Sequence, residues 1–418
     1  MQKLIIKGKK KLLGSINISG SKNATLPILA ATLLANKTII LKNVPLVQDV
    51  YTMINLLKFI GLNIKISTKL NTLKILSKKK LKTIAPYTLL KTMRAGVLVL
   101  GPLLAKFKKA KVSLPGGCAI GTRPVNLHLF ALEKLGAKIK IKNGYIYASA
   151  KNGLKGANIK FPSISVGATE NAILAAVSAN GNTTISNCAI EPEIQDMIVF
   201  LKKIGCNISF IRKRTIKIIG TKEFRSANHE VMFDRIELGT YLIVAAIAGK
   251  KVIFLRIKPK IIKTEIKLLK KMGVKMKVEK NKITVFESTK LNNINIKTEP
   301  YPGFPTDLQA QIMVLMSKAS GTSKITENIF ENRFMHVPEL KRMGAKIITK
   351  KNVALISGPT SLSGAEVMAT DLRASVSLVI AALIADNRTV INRVYHLDRG
   401  YENLEKKLKK CKASIKRF

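Results

Sequence analysis

The chain contains no tryptophan, and aromatic residues make up only 5% of its 418 positions. Few rings are therefore offered for base stacking, which argues against a dedicated single-stranded nucleic-acid binder. Acidic residues are also scarce: 24 Asp and Glu stand against 73 Lys and Arg, a formal charge of +49. Cysteine occurs four times, at Cys118, Cys188, Cys206 and Cys411, with no C-x-x-C pair. Such scatter excludes a disulfide framework or a zinc knuckle and suits a reducing cytosol. The histidines, His128, His229, His336 and His396, show no metal-ligand spacing. There is no P-loop, no G-x-G-x-x-G and no Ser-His-Asp constellation, which sets aside NTPases, Rossmann oxidoreductases and metallohydrolases. The longest apolar runs, such as Val376–Ala385, fall well short of a membrane span. The opening residues have too short an apolar core for a signal peptide. The expectation is a cytoplasmic protein without membrane insertion.

The large positive charge is not gathered into a basic block. Lysine far outnumbers arginine and runs along the whole chain together with abundant Ile and Asn. These three residue types share AT-rich codons, so drift in base composition accounts for the enrichment. Weak, non-specific polyanion binding is its expected side effect, with no specific nucleic-acid partner. Arginine, being rare here, is expected to persist where its bidentate geometry is needed; Arg94, Arg123, Arg333, Arg373 and Arg399 stand out.

A helix-like run, a glycine and an alternating strand recur along the sequence. Leu57-Lys58-Phe59-Ile60-Gly61, Leu132-Glu133-Lys134-Leu135-Gly136 and Leu201-Lys202-Lys203-Ile204-Gly205 are the first three copies. Leu269–Gly273, Leu340–Gly344 and a degraded Leu408–Lys412 are the others. The spacings between successive glycine positions are 75, 69, 68, 71 and 68, with Lys412 in the sixth place. In the first copy Met53, Ile54, Leu57 and Ile60 share one helical face. Glycine suits the left-handed residue that ends a helix, and the alternation after it predicts a half-buried strand, as in Lys138-Ile139-Lys140-Ile141. Cys206 fills the apolar slot after the glycine, so it is read as core, as are Cys188 and Cys411. Six sheet-plus-helix units of about 70 residues exceed the length of a solenoid repeat and suggest an α/β protein of two three-unit domains. A cleft between such domains is a natural ligand site.

Residues 115–123 read Pro-Gly-Gly-Cys-Ala-Ile-Gly-Thr-Arg and place the Cys118 thiol in a glycine-rich turn near Arg123. Open backbone N–H groups and a guanidinium make an anion site, and a cationic setting activates a thiol. Gly20-Ser21-Lys22-Asn23 precedes an apolar run, Leu26 to Leu34, that predicts a helix with Pro27 in its first turn; such an entrance also attracts anions. Asp307 follows a Pro-Thr turn at the start of another apolar run, as a cap or as a base for a substrate hydroxyl. Asp371 with Arg373, and Asp398 with Arg399, are each read as acid–arginine pairs, structural or substrate-binding.

Together these residues resemble the UDP-N-acetylglucosamine 1-carboxyvinyltransferase family. The resemblance runs through Gly20–Pro27, Lys91–Ala95, Leu114–Leu127, Ser165–Thr169, Asp234–Glu237, Phe304–Gln309, Phe330–Leu340, Ala369–Ser375 and His396–Glu402. It implies two inside-out α/β barrel domains of three repeats each. One would span residues 22–230, and the other residues 1–21 with 231–418, with the active site in the cleft between them. It further implies transfer of the enolpyruvyl group of phosphoenolpyruvate (PEP) to the 3′-hydroxyl of UDP-N-acetylglucosamine, as the first committed step of peptidoglycan precursor synthesis. Lys22, Arg123 and Arg399, with Asn23 beside them, would cradle PEP. Cys118 would protonate its methylene carbon and could carry a covalent phospholactoyl adduct, so fosfomycin should alkylate it. Asp307 would orient or deprotonate the sugar hydroxyl. Nucleotide contacts would come from Arg94, Arg123, Pro124, Val125, Asn126 and Leu127, then from Ser163, Ile164, Ser165, Val166 and Ile329. Arg333, Asp371 and Arg373 complete the implied binding set.

No cofactor and no metal are implied, since PEP is a co-substrate; the oligomeric state is left open. Three positions depart from the family pattern. Gln48 replaces a common Lys in the Asn-Val-Pro-x-x-x-Asp context, Asn126 a common Asp, and Ser163 a frequent Lys. A related family, 5-enolpyruvylshikimate-3-phosphate synthase, shares the architecture. It lacks the Pro-Gly-Gly-Cys loop and typically has Ser-Lys-Ser where this chain has Ser21-Lys22-Asn23.

Overall fold

Each repeat contributes one helix that is apolar on all sides and one that is apolar on a single face, and this difference builds the fold. The computed structural model describes residues 2–77, 81–116 and 125–418. The chain forms two compact units, residues 2–19 with 233–418 and residues 20–116 with 125–232, each with its own apolar core. The crossings fall at Ser19/Gly20 and Met232/Phe233.

Six four-stranded sheets are present among the described residues, three per unit. In each, a short edge strand runs parallel to its neighbour, and the remaining pairs are antiparallel. Alternation dictates the faces. Ile39, Leu41, Ile64, Leu73 and Ile75 point inward and are buried, while Lys42, Lys65 and Lys74 lie exposed on the opposite face. The inner helices are Lys22–Ala31, Leu100–Phe107 and Val166–Ala176 in one unit. Their counterparts in the other unit are Arg235–Ala248, Gln309–Met316 and Leu372–Ile384. Every residue of Gln309–Met316 is buried, as expected of a helix enclosed on all sides. Helices inside and sheets outside make each unit an inside-out α/β barrel. The outer helices, such as Gln48–Ile60 and Pro192–Lys203, are amphipathic and end at the repeat glycines.

Those helix ends share one geometry. Gly61, Gly136, Gly205, Gly273 and Gly344 have φ between +90° and +125°, and Lys412 takes the same left-handed turn at +70°. After five of them the next N–H reaches back to the last helical turn. Ala137 donates to the Leu132 carbonyl at 3.0 Å, and Ala413 to the Leu408 carbonyl at 3.1 Å, the signature of a Schellman end. The sixth copy is thus structurally intact despite its lysine.

The strand Ser414–Arg417 completes its sheet by pairing with Leu4–Lys7, which pairs on its other edge with Arg388–Asn392. The last repeat therefore borrows its hairpin partner from the first strand of the chain.

Two local expectations change. The inner helix expected over Leu26–Leu34 begins at Lys22, capped by the Ser21 hydroxyl, so Pro27 lies inside it rather than in its first turn. Proline has no N–H for the Asn23 carbonyl, one turn earlier. Ile141, at the hairpin end of the edge strand Lys138–Lys142, is 52% exposed rather than half-buried.

Candidate active site

The implied site residues sit mainly at the N-terminal ends of the inner helices, where backbone N–H groups and the helix dipole favour negative charge. Asp307 lies in the turn Thr306–Leu308 that leads into Gln309–Met316, so it does not cap that helix. Its Oδ1 accepts from Arg333 Nη2 and its Oδ2 from Arg373 Nη2, both at 2.8 Å. Both guanidiniums are almost wholly buried, at 4% and 8% side-chain exposure, whereas the Asp307 side chain is 27% exposed. The carboxylate is therefore the accessible tip of a buried cationic clamp. Burial disfavours the Arg373 cation, but Asp307, with Tyr401 and Asp234 adding, outweighs it, and its pKa lies above the ordinary value.

Neighbouring polar groups brace the clamp. The Arg373 guanidinium donates from Nη1 to the Tyr401 hydroxyl at 3.2 Å and lies over that ring at 5.7 Å from its centroid. Glu327 accepts from Thr306 Oγ1 at 3.0 Å and from the Ile329 and Phe330 N–H groups at 2.9 and 3.1 Å, tying the Ile329 loop to the Asp307 turn. Asp371 does not pair with the Arg373 guanidinium as read from sequence. It caps its own helix, its Oδ1 accepting from the Arg373 and Ala374 N–H groups at 2.8 and 3.1 Å. Its reach is short and the capping N–H groups are closer, so the guanidinium is left to Asp307. Asp398 likewise forms a fork with Arg417, at 2.7 and 2.8 Å. Arg399 follows the short helix Tyr395–Asp398 and is half-buried. Burial, with the Arg333 charge adding and Asp371 opposing, pushes the His336 imidazole down to about 4, so it is neutral near pH 7.

The other unit carries a second cluster. Lys22 is the first residue of its inner helix, and its ammonium meets Asp49 Oδ2 at 3.2 Å in a nearly buried pair. Asn23 is half-buried beside it. Ser165 caps Val166–Ala176 through an Oγ that accepts from the Ala168 N–H at 3.3 Å. Arg94 opens the short helix Arg94–Val99 and is half-buried. Burial, then the Arg94 charge, lowers His128 to about 4. His128 Nδ1 lies 3.1 Å from the Asn171 amide, which also accepts from the Gly101 N–H at 2.8 Å. A Cβ at Gly101 would stand 2.4 Å from that amide oxygen, so glycine is required there. Val125, Leu127 and Ile164 pack partly buried against the core, while Asn126, Ser163 and Val166 are exposed. Gln48 is exposed at the start of its helix. Cys118, Arg123 and Pro124 lie outside the described residues. Cys188, Cys206 and Cys411 are buried, and burial raises each thiol's pKa, so all three are core residues as expected.

Sequence reading did not assign Asp49, His128, Asn171, Thr240, Gln311 or Tyr401. The available signal was a polar residue inside an otherwise apolar run, as in Gln309-Ala310-Gln311-Ile312-Met313, since buried amides demand partners.

Two inside-out barrels of three repeats are the fold of the enolpyruvyl transferases. Residues 6–408 match the family model described as EPSP synthase (3-phosphoshikimate 1-carboxyvinyltransferase). The structure resembles the enolpyruvyl transferase NikO from Streptomyces tendae, with a TM-score of 0.91 at 24% identity over 100% of this chain and 98% of that one. It also resembles EPSP synthase from Acinetobacter baumannii, with a TM-score of 0.77 at 17% identity over the full length of both. At those identities the likeness is one of fold. Sequence relatives are nearer: the UDP-N-acetylglucosamine 1-carboxyvinyltransferase of Pelagibacter ubique is 62% identical over 418 residues, covering all of both chains. That of Rickettsia prowazekii is 52% identical over 419 residues, again over the whole of both chains. The chain belongs to the UDP-N-acetylglucosamine 1-carboxyvinyltransferase family.

Proposed function

We propose that this protein transfers the enolpyruvyl group of PEP to the 3′-hydroxyl of UDP-N-acetylglucosamine, releasing phosphate and committing the sugar nucleotide to peptidoglycan precursor synthesis. The observation that carries the reading is the 62% identity, without a break in coverage, to a relative bearing that name. EPSP synthases share the fold at a much lower identity. The geometry supports particular roles. A carboxylate held by two guanidiniums with its own side chain partly open, as Asp307 is, suits orientation of the acceptor hydroxyl. Lys22 at a helix N-terminus suits an anionic group of PEP, with Arg123 and Arg399 as the further cations of that cradle. Cys118 is the proposed acid: its S–H proton goes to the PEP methylene carbon as the sugar oxygen bonds to C2 and gives up its hydroxyl proton to Asp307, giving a tetrahedral ketal. Return of a methyl proton to the Cys118 thiolate and departure of phosphate, which takes the proton held by Asp307, then restore the double bond and both groups. Nothing in this sequence of steps calls for a cofactor or metal. Among the described residues no helix is long and apolar enough to cross a membrane.

Phosphate release from PEP tests the reading, measured with UDP-N-acetylglucosamine and separately with shikimate 3-phosphate. Release should require the sugar nucleotide and fall at least about a hundredfold in Asp307→Asn and in Cys118→Ala, as expected when an acid or an orienting group is lost. Release driven by shikimate 3-phosphate would assign the chain to the other branch of the fold. Fosfomycin should add its mass at Cys118 when the sugar nucleotide is present, and an unchanged mass would count against the role given to that thiol.

A further inference from the structure

Behind the Asp307–Arg373 pair lies a cluster of three neutral side chains: Thr240, Gln311 and Tyr401. The first two are wholly buried, and Tyr401 is 3% exposed. They come from three parts of the chain, the inner helices Arg235–Ala248 and Gln309–Met316 and the segment after Tyr395–Asp398. We propose that Thr240, Gln311 and Tyr401 are positioning residues that lock the plane of the Arg373 guanidinium and the backbone of Asp307. The inference rests on the reading that Asp307 serves the transfer reaction.

Hydrogen accounting gives the cluster a single orientation. The Thr240 hydroxyl donates to the Ile236 carbonyl at 2.8 Å. At its 2.9 Å contact with Tyr401 the threonine oxygen must therefore accept, and the phenol O–H must donate. A guanidinium only donates, so the phenol oxygen accepts from Arg373 Nη1 at 3.2 Å. Gln311 Nε2 faces three acceptors: the Asp307 carbonyl at 2.8 Å, Thr240 Oγ1 at 3.1 Å and the Tyr401 oxygen at 3.3 Å. Turning that amide over would set its oxygen against the Asp307 carbonyl, so its sense is fixed. Gln311 Oε1 is buried without a partner among the described residues, and burying a carbonyl in that state is costly. An apolar residue would escape this cost but could not hold the Asp307 carbonyl. Burial keeps the Tyr401 phenol protonated through the neutral range, with the Arg373 charge opposing, so its donor is retained.

Arg373 is thus anchored through two different nitrogens, Nη2 on Asp307 and Nη1 on Tyr401, and two such anchors define the plane of a rigid fork. Asp307 is held at its carboxylate by Arg333 and Arg373 and at its carbonyl by Gln311. Freeing either anchor loosens one side of the carboxylate while Arg333 still holds the other, so the tip turns about that bond, away from the acceptor hydroxyl, with the charges left in place. The loss should therefore appear in the chemical step rather than in ground-state binding.

The test uses the full chain, with steady-state kcat, KM for both substrates and thermal unfolding measured together. Thr240→Val, which keeps the shape and removes the acceptor, and Tyr401→Phe should each lower kcat about tenfold, the effect of one lost hydrogen bond to a charged or polar group. Each KM should stay within about twofold of wild type. Thr240→Ser should restore kcat, and Thr240→Val combined with Tyr401→Phe should be no slower than the worse single variant, because both break the same chain. A wild-type kcat in folded Tyr401→Phe, or a rise in KM at constant kcat, overturns the proposal. So does a change confined to thermal stability. Asp307→Asn is run alongside. If it is fully active, the reading of the site itself fails; if it is inactive while Tyr401→Phe is not, only the positioning role fails.

Discussion

Charged side chains held away from water set the sharpest expectations at the scale of single residues. Lys22 and Asp49 are 11% and 9% exposed, so replacing one partner breaks a pair that water screens little. Asp49→Asn should destabilise the fold by about 3 kcal/mol, read as a lower urea midpoint, in line with broken buried pairs elsewhere. Glu237 offers a pH test. It accepts from the Ser19 N–H at 2.7 Å and from Lys407 Nζ at 2.6 Å. Burial nonetheless raises its carboxyl from 4.5 to about 7, with Lys407 opposing and Asp234 adding. The folded chain then keeps a proton that the unfolded chain has already lost. This contribution to stability is full below about pH 4.5 and is lost as pH rises through about 7. Unfolding free energies measured across that window should fall less steeply in Glu237→Gln, and an unchanged slope would refute the assignment. Residues that bear charge were the legible part of the site: Asp307, Arg333 and Arg373 all stood out in the sequence, and the structure joins them. Their pairing was not legible. Adjacency in sequence suggested Asp371 with Arg373 and Asp398 with Arg399, whereas in the structure Asp371 caps its own helix and Asp398 pairs with Arg417. Side chains one or two positions apart point away from each other on a helix, and only tertiary packing supplies the true neighbour.

Among elements, the helix–glycine–strand unit was the clearest signal, because its physics is local. A 3.6-residue apolar face, a left-handed stop and a two-residue alternation each leave a mark in a short window. The positive φ values at all five glycines and at Lys412 follow from that unit. Lys412 holds the left-handed conformation with a β-carbon present, which costs a non-glycine residue about 1 kcal/mol. Lys412→Gly should therefore raise stability by up to that amount, seen as a higher melting temperature. A neutral or lower one would mean that the lysine side chain offsets the strain. The inner helices were less legible. Their apolar residues surround the axis, so no face marks where each begins, and the start at Lys22 with Pro27 inside depended on the Ser21 cap. Edge strands were equally opaque: Ile141 has the alternation of a core residue and stands largely in solvent.

At the scale of the molecule the charge of +49 lies mostly on outward faces, as the strand lysines Lys42, Lys65 and Lys74 illustrate. Adsorption to single-stranded RNA is expected at low salt and should collapse by about 200 mM, the behaviour of unpatterned counterion release. Binding that survived such salt would point to a specific surface instead. The borrowed strand has a consequence in time. Leu4–Lys7 belongs in the middle of a sheet, with Arg388–Asn392 on one edge and Ser414–Arg417 on the other. Its nearest partner in the register, Lys7 with Arg388, is 381 residues further along the chain. At ordinary translation rates that interval is roughly 20–80 s, during which the strand has emerged from the ribosome with neither neighbour made. The unit of residues 20–116 and 125–232 includes no later sequence and so need not wait for it. The other unit cannot close its final sheet until Arg417 has been added, so the segment made first is among the last to find its place.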